Sequence, residues 1–201
     1  MELKDRNGMT EEEFLKSYNP DKYPKPALTA DMIVLRKMPD GSLRILLIRR
    51  GGHPFLGRWA LPGGFANKNE ATEQTAVREL EEETGLRGLE ISLVGFYSKP
   101  GRDPRGWTVS AAYAAVIPEE RAGEVRAGDD AAEAAWFTVS ADAKTGKLQL
   151  TCTGVAEAAA DPGSEGVDPE TLVPDDRGCL LAFDHDEIVG DALRAVCAKK
   201  I

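Results

Sequence analysis

Cysteine and long apolar runs are both scarce in this 201-residue chain. The three cysteines stand far apart, at positions 152, 179 and 197, with no Cys-x-x-Cys pair. This spacing favours reduced thiols over a disulfide framework or a zinc site. No stretch approaches the roughly 20 apolar residues that cross a bilayer, and the opening MELKDRNG does not resemble a secretory signal. We therefore expect a cytoplasmic protein with no membrane partner.

Positive charge is also in deficit, with 25 Lys and Arg against 34 Asp and Glu and a net charge of −9. An acidic chain is a poor ligand for nucleic-acid backbones, so we expect no nucleic-acid partner. A nucleotide substrate is not excluded, because a bound divalent metal can reverse the local charge. The apolar fraction of 42% is typical of a globular protein and suffices for a substantial core.

Apolar patterning predicts an alternation of strands and helices. Two strands, Ala27 to Lys37 and Leu43 to Arg50, flank a Pro-Asp-Gly-Ser turn and form a hairpin. Further strands are expected at residues 89–98, 108–117, 134–139, 147–151 and 179–183. The pattern predicts an α/β fold, a sandwich built on a mixed sheet.

The chain divides into a short appendage and one domain. Residues 1–25 are predicted to be an N-terminal appendage with a short helix, because Thr10 and Glu13 form a capping box. Residues 26–201 form the main domain. Within it, residues 154–178 are rich in Ala, Asp, Pro and Gly and are predicted to be a flexible excursion. A closing helix is expected from the N-cap Asp184 to about Lys199.

One 23-residue stretch, Gly64 to Leu86, reads GFANKNEATEQTAVRELEEETGL. It predicts a helix from about residue 70 to residue 84, closed by Gly85. On that helix Glu79, Glu82 and Glu83 share an arc of roughly 100° beside the apolar stripe. Like charges at the edge of a core are unfavourable unless a cation compensates them. Mg²⁺, which prefers hard oxygen ligands, suits such a cluster.

The other charged residues of this helix have different predicted positions. Arg78 precedes Glu82 by four residues, so the two can pair, either as an ordinary surface ion pair or as part of a site. Glu81 falls on the opposite, exposed side. Glu70 lies about 180° from Glu79 on a helical wheel, so periodicity leaves it outside the acidic cluster.

The stretch fits the pattern G-x5-E-x7-R-E-(apolar)-x-E-E-x-G-(apolar) at every specified position. This is the Nudix box, and the chain resembles a Nudix hydrolase. The resemblance implies a Nudix-type α/β/α sandwich and magnesium-dependent cleavage of a nucleoside diphosphate linked to another group, with Mn²⁺ as an alternative ion. The implied metal ligands are Glu79, Glu82, Glu83 and the backbone carbonyl of Gly63. Arg78 would orient the ligand carboxylates.

The resemblance leaves the general base open. In some family members the first glutamate of the Arg-Glu pair serves, which here is Glu79; in others a carboxylate on a distant loop does. The alternatives in this chain are Asp129, Asp130 and Glu133. The family also places the counterpart of Glu70 near the helix start, where a carboxylate suits the helix dipole.

Four flanking segments extend the resemblance to the ADP-ribose pyrophosphatase-like branch: HPFLGRWALPGGF, PGRDPRGWTVSAAY, GDDAAEAAWF and LAFDHDEI. The implied reaction splits ADP-ribose into AMP and ribose 5-phosphate. Homodimers are common in this branch, so a homodimer is expected, with the N-terminal appendage as a contributor.

Substrate contacts are expected in the loop at residues 99–107 and in the glycine pair. Arg102 and Arg105 offer guanidinium groups for phosphate, although Asp103 could neutralise one of them. Gly64 permits close approach of the backbone. The aromatic side chains that could stack on adenine, or simply pack, are Trp107, Tyr97 and Phe55. The two histidines, His53 and His185, lack metal-ligand spacing and are interpreted as structural.

Two other functions stay open. The first is hydrolysis of another nucleotide, such as a modified nucleoside triphosphate or a nucleotide sugar. The second is a transcriptional regulator that senses ADP-ribose through the same core. The intact set of glutamates disfavours the regulator. So does the chain from position 140 onward, where six Lys and Arg face twelve Asp and Glu, a net charge of −6 that suits DNA poorly.

Overall fold

The computed structural model describes residues 3–126, 131–141, 148–155 and 181–198. Nearly all of the expected excursion at 154–178 lies outside these residues, and so do Asp129, Asp130 and Lys199.

One sheet forms the centre of the fold. Its strands are β1 (Ala27–Lys37), β2 (Leu43–Arg50), β3 (Trp59–Ala60), β4 (Gly63–Phe65), β5 (Ser92–Tyr97), β6 (Thr108–Ile117), β7 (Ala131–Ala141) and β8 (Leu148–Val155). The order across the sheet is β5-β6-β1-β2-β7-β8, with β3 paired to β2 and β4 to β1. The β1–β6 pair is parallel and the other pairs are antiparallel, which confirms the predicted mixed sheet.

Helices cover both faces of the sheet. The described α-helices are α1 (Glu11–Ser17), α2 (Thr72–Thr84) and α3 (His185–Cys197), with a 3₁₀ helix at Glu119–Glu124, and α2 and α3 are the two that cover the faces. Leu80 of α2 packs with Met32 and Val34 of β1 on one face. Ile188 of α3 packs with residues of the other face. This arrangement is the expected α/β/α sandwich.

Most predicted strands are confirmed, and β1, β2 and β6 keep their predicted bounds. The strand expected at 179–183 is wrong within its described part. Leu181 and Ala182 form bends, and Phe183 has φ 56°, which an extended strand does not allow. The sequence did not indicate β3 and β4, because two or three residues are too few to show alternation.

The predicted helix ends are mostly confirmed. Thr10 and Glu13 form the capping box of α1: Thr10 Oγ1 accepts from the Glu13 N–H, and the Glu13 carboxylate accepts from the Thr10 N–H. Gly85 ends α2 in the left-handed conformation and donates its N–H to the Glu81 carbonyl at 2.8 Å. None of the residues of α1 is buried. The division at residue 25 stays a prediction.

Candidate active site

The site is built where α2 meets the glycines of β4. Gly63 and Gly64 pair with Asp31 and Ala30 of β1. The Gly63 N–H donates to Glu83 Oε2 at 2.8 Å. A Cβ atom at Gly64 would lie 2.5–2.6 Å from the carboxylate of Glu79. The absence of side chains at these two positions therefore lets two carboxylates of α2 lie directly against the backbone.

The carboxylates of Glu79 and Glu83 lie in surroundings that disfavour their charged forms. Burial raises the pKa of Glu83 to about 8, and repulsion from Glu79 and Asp31 adds to the increase. Burial also raises the pKa of Glu79, although Arg78 opposes that shift. Carboxylates that repel each other in a low-dielectric site are the surroundings that a hard divalent cation stabilises. The donor set therefore fits the Mg²⁺ that the sequence predicts.

Arg78 connects the glutamates of the site. Its Nη1 donates to Glu79 Oε1 at 2.7 Å and to Glu82 Oε2 at 2.9 Å. Its Nε and Nη2 donate to the Glu70 carboxylate at 2.8 and 3.0 Å, and Nη2 also reaches the Phe65 carbonyl. Glu70 precedes the first residue of α2, so its position relative to Glu79 could not be predicted from a helical wheel. The Arg78 guanidinium lowers the pKa of Glu70 to about 2.

Glu82 and Glu81 lie further out on α2. The Glu82 side chain is 57% exposed and contacts Arg78, and the Glu81 carboxylate pairs with Arg87 at 2.9 Å. No three acidic, histidine or cysteine side chains are gathered as a ready metal cluster in the part of the chain that the structure describes. The ligand roles of Glu79, Glu82, Glu83 and Gly63 stay predictions.

A cavity of about 60 Å³ lies beside the glycine pair. Two arginines predicted to bind substrate line it, and both are already paired. Arg102 is 4% exposed, and its Nε and Nη2 donate to the Asp184 carboxylate at 2.8 and 2.6 Å. Arg105 pairs with the buried Asp103 at 2.7 Å. Asp184 is at the predicted N-cap position of α3, but its carboxylate holds Arg102 and makes no capping hydrogen bond.

Arg50 is a third cavity arginine, and the sequence analysis missed it. Its Nε donates to the Pro54 carbonyl at 2.8 Å, and its guanidinium lies 4.9 Å from the ring centre of Phe183. No carboxylate of the described chain forms an ion pair with it, in contrast to Arg102 and Arg105. Burial lowers the pKa of Arg50, and repulsion from Arg105 adds to this. The sequence feature that could have identified Arg50 is its place as the last residue of β2, after the buried apolar run of that strand.

The predicted aromatic residues separate in the fold. Trp107 is 57% exposed and lines a second cavity with Pro100 and Pro104. Tyr97 is buried and its hydroxyl donates to Asp191 at 2.9 Å. Phe55 packs edge-on against Phe183 with ring centres 4.8 Å apart. Trp107 is therefore the one of these three rings that offers an open surface.

His185 and Asp31 are among the buried polar residues that border the first cavity. His185 Nδ1 accepts the Leu61 N–H at 2.9 Å, which agrees with a structural role. Burial lowers the pKa of His185. Asp31 was missed, although it is the one charge in an apolar run from Ala27 to Leu35. Its carboxylate accepts a hydrogen bond from Ser110 Oγ.

The described alternative for the general base is Glu133 on β7. It lies in register with Arg49, and the two side chains approach to 3.5 Å. Asp129 and Asp130 fall outside the described residues.

The fold and the site together define a class: α/β/α sandwich proteins in which an acidic helix packs on a glycine pair beside a cationic cavity. Comparison with known families identifies the particular family. The NUDIX domain model matches residues 25–149, and the chain belongs to the Nudix family.

Individual relatives agree with this membership. An ADP-ribose pyrophosphatase of Methanocaldococcus jannaschii is 44% identical over 118 residues, which cover 59% of this chain and 65% of that protein. The chain thus spans slightly less than two thirds of this relative. A MutT/nudix family protein of Enterococcus faecalis is 38% identical with a TM-score of 0.72, covering 95% of this chain and 71% of the other.

A third relative is the NUDIX domain of Shewanella oneidensis NrtR, in a structure with ADP ribose. It is 27% identical with a TM-score of 0.66, and the match covers 94% of this chain and 99% of that domain. Among the described helices of the present chain, none is long and apolar enough to span a membrane.

Proposed function

We propose that this chain is a magnesium-dependent Nudix hydrolase that cleaves a nucleoside diphosphate linked to another group. ADP-ribose is the favoured candidate substrate, and its hydrolysis gives AMP and ribose 5-phosphate. The observation that carries the proposal is the pair of buried carboxylates, Glu79 and Glu83, held against Gly63 and Gly64 beside an arginine-lined cavity. The name of the M. jannaschii relative supports the choice of ADP-ribose.

The acidic residues would hold the metal and activate water. Mg²⁺, or Mn²⁺ in its place, neutralises diphosphate charge and lowers the pKa of a bound water. Glu79, Glu82, Glu83 and the carbonyl of Gly63 are the proposed ligands, and Arg78 fixes Glu79 and Glu82. Glu79 is also the proposed general base, which takes a proton from the attacking water. A new bond forms from water to phosphorus, and the bond to the bridging oxygen breaks.

The cavity residues would hold the substrate. Arg50, whose guanidinium has no carboxylate partner in the described chain, is suited to bind phosphate oxygens. Arg105 and Arg102 line the same cavity as Arg50. The Asp184 carboxylate holds the Arg102 guanidinium in place. Gly64 lets a phosphate approach the backbone. Trp107, in the second cavity, offers a surface on which the adenine could stack.

Two alternatives keep specific support. The ADP-ribose-bound domain of S. oneidensis NrtR resembles this chain over 94% of its length, which favours a sensor that binds without turnover. The full set of box glutamates and the net charge of −6 after position 139 favour the enzyme. A hydrolase of another nucleotide would use the same carboxylates and differ in the loops. A homodimer, a cytoplasmic location and the lack of nucleic-acid or membrane partners stay predictions.

The test is product detection across a nucleotide panel with and without Mg²⁺. The panel holds ADP-ribose, NADH, nucleotide sugars, diadenosine polyphosphates and modified nucleoside triphosphates. We expect preferential, metal-dependent conversion of ADP-ribose to AMP. Faster turnover of another member would keep the chemistry and correct the substrate. ADP-ribose binding without turnover of any member would favour the sensor.

Glu83→Gln provides the mechanistic arm of this test. The variant keeps the size of the side chain and removes a buried carboxylate, so we expect a folded protein with turnover lowered at least about 100-fold. Glu81→Gln, on the outer side of the same helix, is the matched control and should retain near-normal turnover. Equal rates for the two variants would refute the ligand role of Glu83.

A further inference from the structure

Asp31 is a buried charge in the middle of a strand, and its position needs a physical reason. The residue is 6% exposed and lies between Ala30 and Met32, which are both fully buried. A carboxylate removed from water costs several kcal/mol unless hydrogen bonds or charges compensate it. The hydrogen-bond partners of its two carboxylate oxygens therefore indicate the role of Asp31.

One oxygen is satisfied inside the protein and the other is not. Ser110 Oγ donates to Oδ2. His185 Nε2 lies 3.7 Å from Oδ1, too far for a hydrogen bond. His185 cannot turn to meet it, because its Nδ1 is held by the Leu61 N–H. Within the described chain, Oδ1 thus has no hydrogen-bond donor.

The cavity gives Oδ1 access to a ligand. Asp31 lines the same cavity as Arg50 and Arg105, and its Oδ1 would lie 2.7 Å from a Cβ at Gly63. The unsatisfied acceptor is therefore at the wall of the cavity, next to the backbone of β4. Ser110 and the β1–β6 pairing hold the carboxylate in this place.

The chemistry of the cavity limits what the acceptor can bind. A phosphate oxygen would be repelled by the carboxylate, whereas the arginines attract it. Oδ1 requires a hydrogen-bond donor, and the group attached to the diphosphate in the proposed substrate is a sugar, whose hydroxyl groups are such donors. We propose that Asp31 is a specificity-determining residue that accepts a hydrogen bond from a hydroxyl group of the sugar attached to the diphosphate. This inference rests on the proposed function.

The consequence is discrimination between substrates with and without that hydroxyl group. A buried acceptor that loses its donor pays the desolvation cost without compensation, so an analogue that lacks the hydroxyl binds poorly. Asp31 thereby favours diphosphates that carry a sugar over diphosphates that carry an apolar group.

The experiment compares ADP-ribose with pentyl-ADP, in which the β-phosphate carries an unbranched five-carbon chain without hydroxyl groups. In Asp31→Asn we expect kcat/KM for ADP-ribose to fall about 10-fold, mainly through KM, since a neutral amide replaces the charged hydrogen-bond acceptor. The rate with pentyl-ADP should change by no more than about twofold, so the preference for ADP-ribose collapses. Asp40→Asn, the same change at an exposed turn outside the cavity, should leave the rates with both substrates unchanged.

Three results would overturn the inference. The first is an equal loss with both substrates, which would give Asp31 a general structural role. The second is an increased Mg²⁺ requirement with an unchanged substrate preference, which would make Asp31 part of the metal site. The third is a normal ADP-ribose KM in Asp31→Asn.

A failure of the proposed function can be told apart from a failure of this inference. If the wild-type protein turns over neither substrate, calorimetry measures the binding of ADP-ribose and pentyl-ADP to wild type and Asp31→Asn. Selective loss of ADP-ribose affinity in the variant supports the Asp31 contact without catalysis. Equal affinities in the two proteins refute it.

Discussion

Single residues in this site act through their partners. Arg78 contacts Glu70, Glu79 and Glu82, so one guanidinium fixes three carboxylates. This network explains why the box contains a glutamate eight residues before the arginine. Glu70 holds the guanidinium from outside the helix, and Arg78 then holds the two helix glutamates.

His185 shows how burial decides a protonation state. The imidazole is 4% exposed and accepts the Leu61 N–H at Nδ1, so its neutral form carries the proton on Nε2. Burial lowers its pKa, and Arg102 and Arg50 act in the same direction, against Asp31 and Asp184. A histidine with a lowered folded-state pKa stabilises the fold above the unfolded pKa, and this contribution is lost as the pH falls.

We therefore predict that, as the pH falls from 7.5 to about 6.5, the unfolded chain begins to take up a proton that the folded His185 does not bind, because its pKa is lowered. The free energy of unfolding should decrease over that interval. NMR of labelled imidazole rings checks the prediction, with the exposed His53 as internal comparison. A His185 ring that gains a proton near pH 6.5 without loss of structure would contradict it.

At the scale of elements, the contact between β4 and α2 forms the site. A Cβ at Gly63 would lie 2.3 Å from the carbonyl oxygen of Ala30, which is rigid backbone. A Cβ at Gly64 would meet the end of the Glu79 side chain, which can move. Substitution of Gly63 should therefore mainly affect stability, whereas substitution of Gly64 should mainly affect the position of the Glu79 carboxylate.

We predict that Gly64→Ala folds normally but displaces the Glu79 carboxylate and lowers turnover about 100-fold, the scale expected for misplacing a reacting group by about 1 Å. Gly63→Ala should instead destabilise the protein by about 1–3 kcal/mol or more through overpacking and strain. Chemical denaturation and steady-state kinetics measure the two effects separately.

Gly52→Ala is the control for both substitutions, because a Cβ there would meet nothing within 4 Å. It should leave stability and turnover nearly unchanged. A Gly64→Ala enzyme with wild-type turnover would show that the Glu79 position has no catalytic importance.

At the scale of the whole molecule, the sheet brings distant segments to one cavity. Arg50 ends β2, Asp31 lies in β1, Arg105 precedes β6 and His185 begins α3. The acidic end of α2 packs beside them. Metal binding should therefore stabilise the entire fold, because its ligands exist as a cluster only in the folded chain.

We predict that Mg²⁺ at about 100 times its Kd stabilises the protein by about 2.7 kcal/mol. For a chain of this size that corresponds to a rise in Tm of about 5–10 °C. Thermal unfolding with and without Mg²⁺ measures the shift without any assay of turnover. Glu83→Gln should abolish most of the shift and Glu81→Gln should keep it; an equal shift in both variants would place the metal elsewhere.

The sequence by itself determined the features that depend on near neighbours along the chain. Apolar runs bounded by turn residues placed β1, β2 and β6, and the capping box of Thr10 placed α1. The box spacing set Arg78 and Glu82 four residues apart on one helix, and Gly85 ended that helix. These features are local because they follow from helix and strand periods and from the backbone preferences of single residues.

Only the tertiary structure decided which charged groups meet. Arg102 and Arg105 had the residue types of phosphate ligands, but Asp184, 82 positions away in the chain, holds the first of them. Arg50 became the cavity arginine without a carboxylate partner because β2 ends there. Asp31 gained its place because β6 brings Ser110 beside it. The energy of a buried charge depends on neighbours from every packed element, and no local period encodes those neighbours.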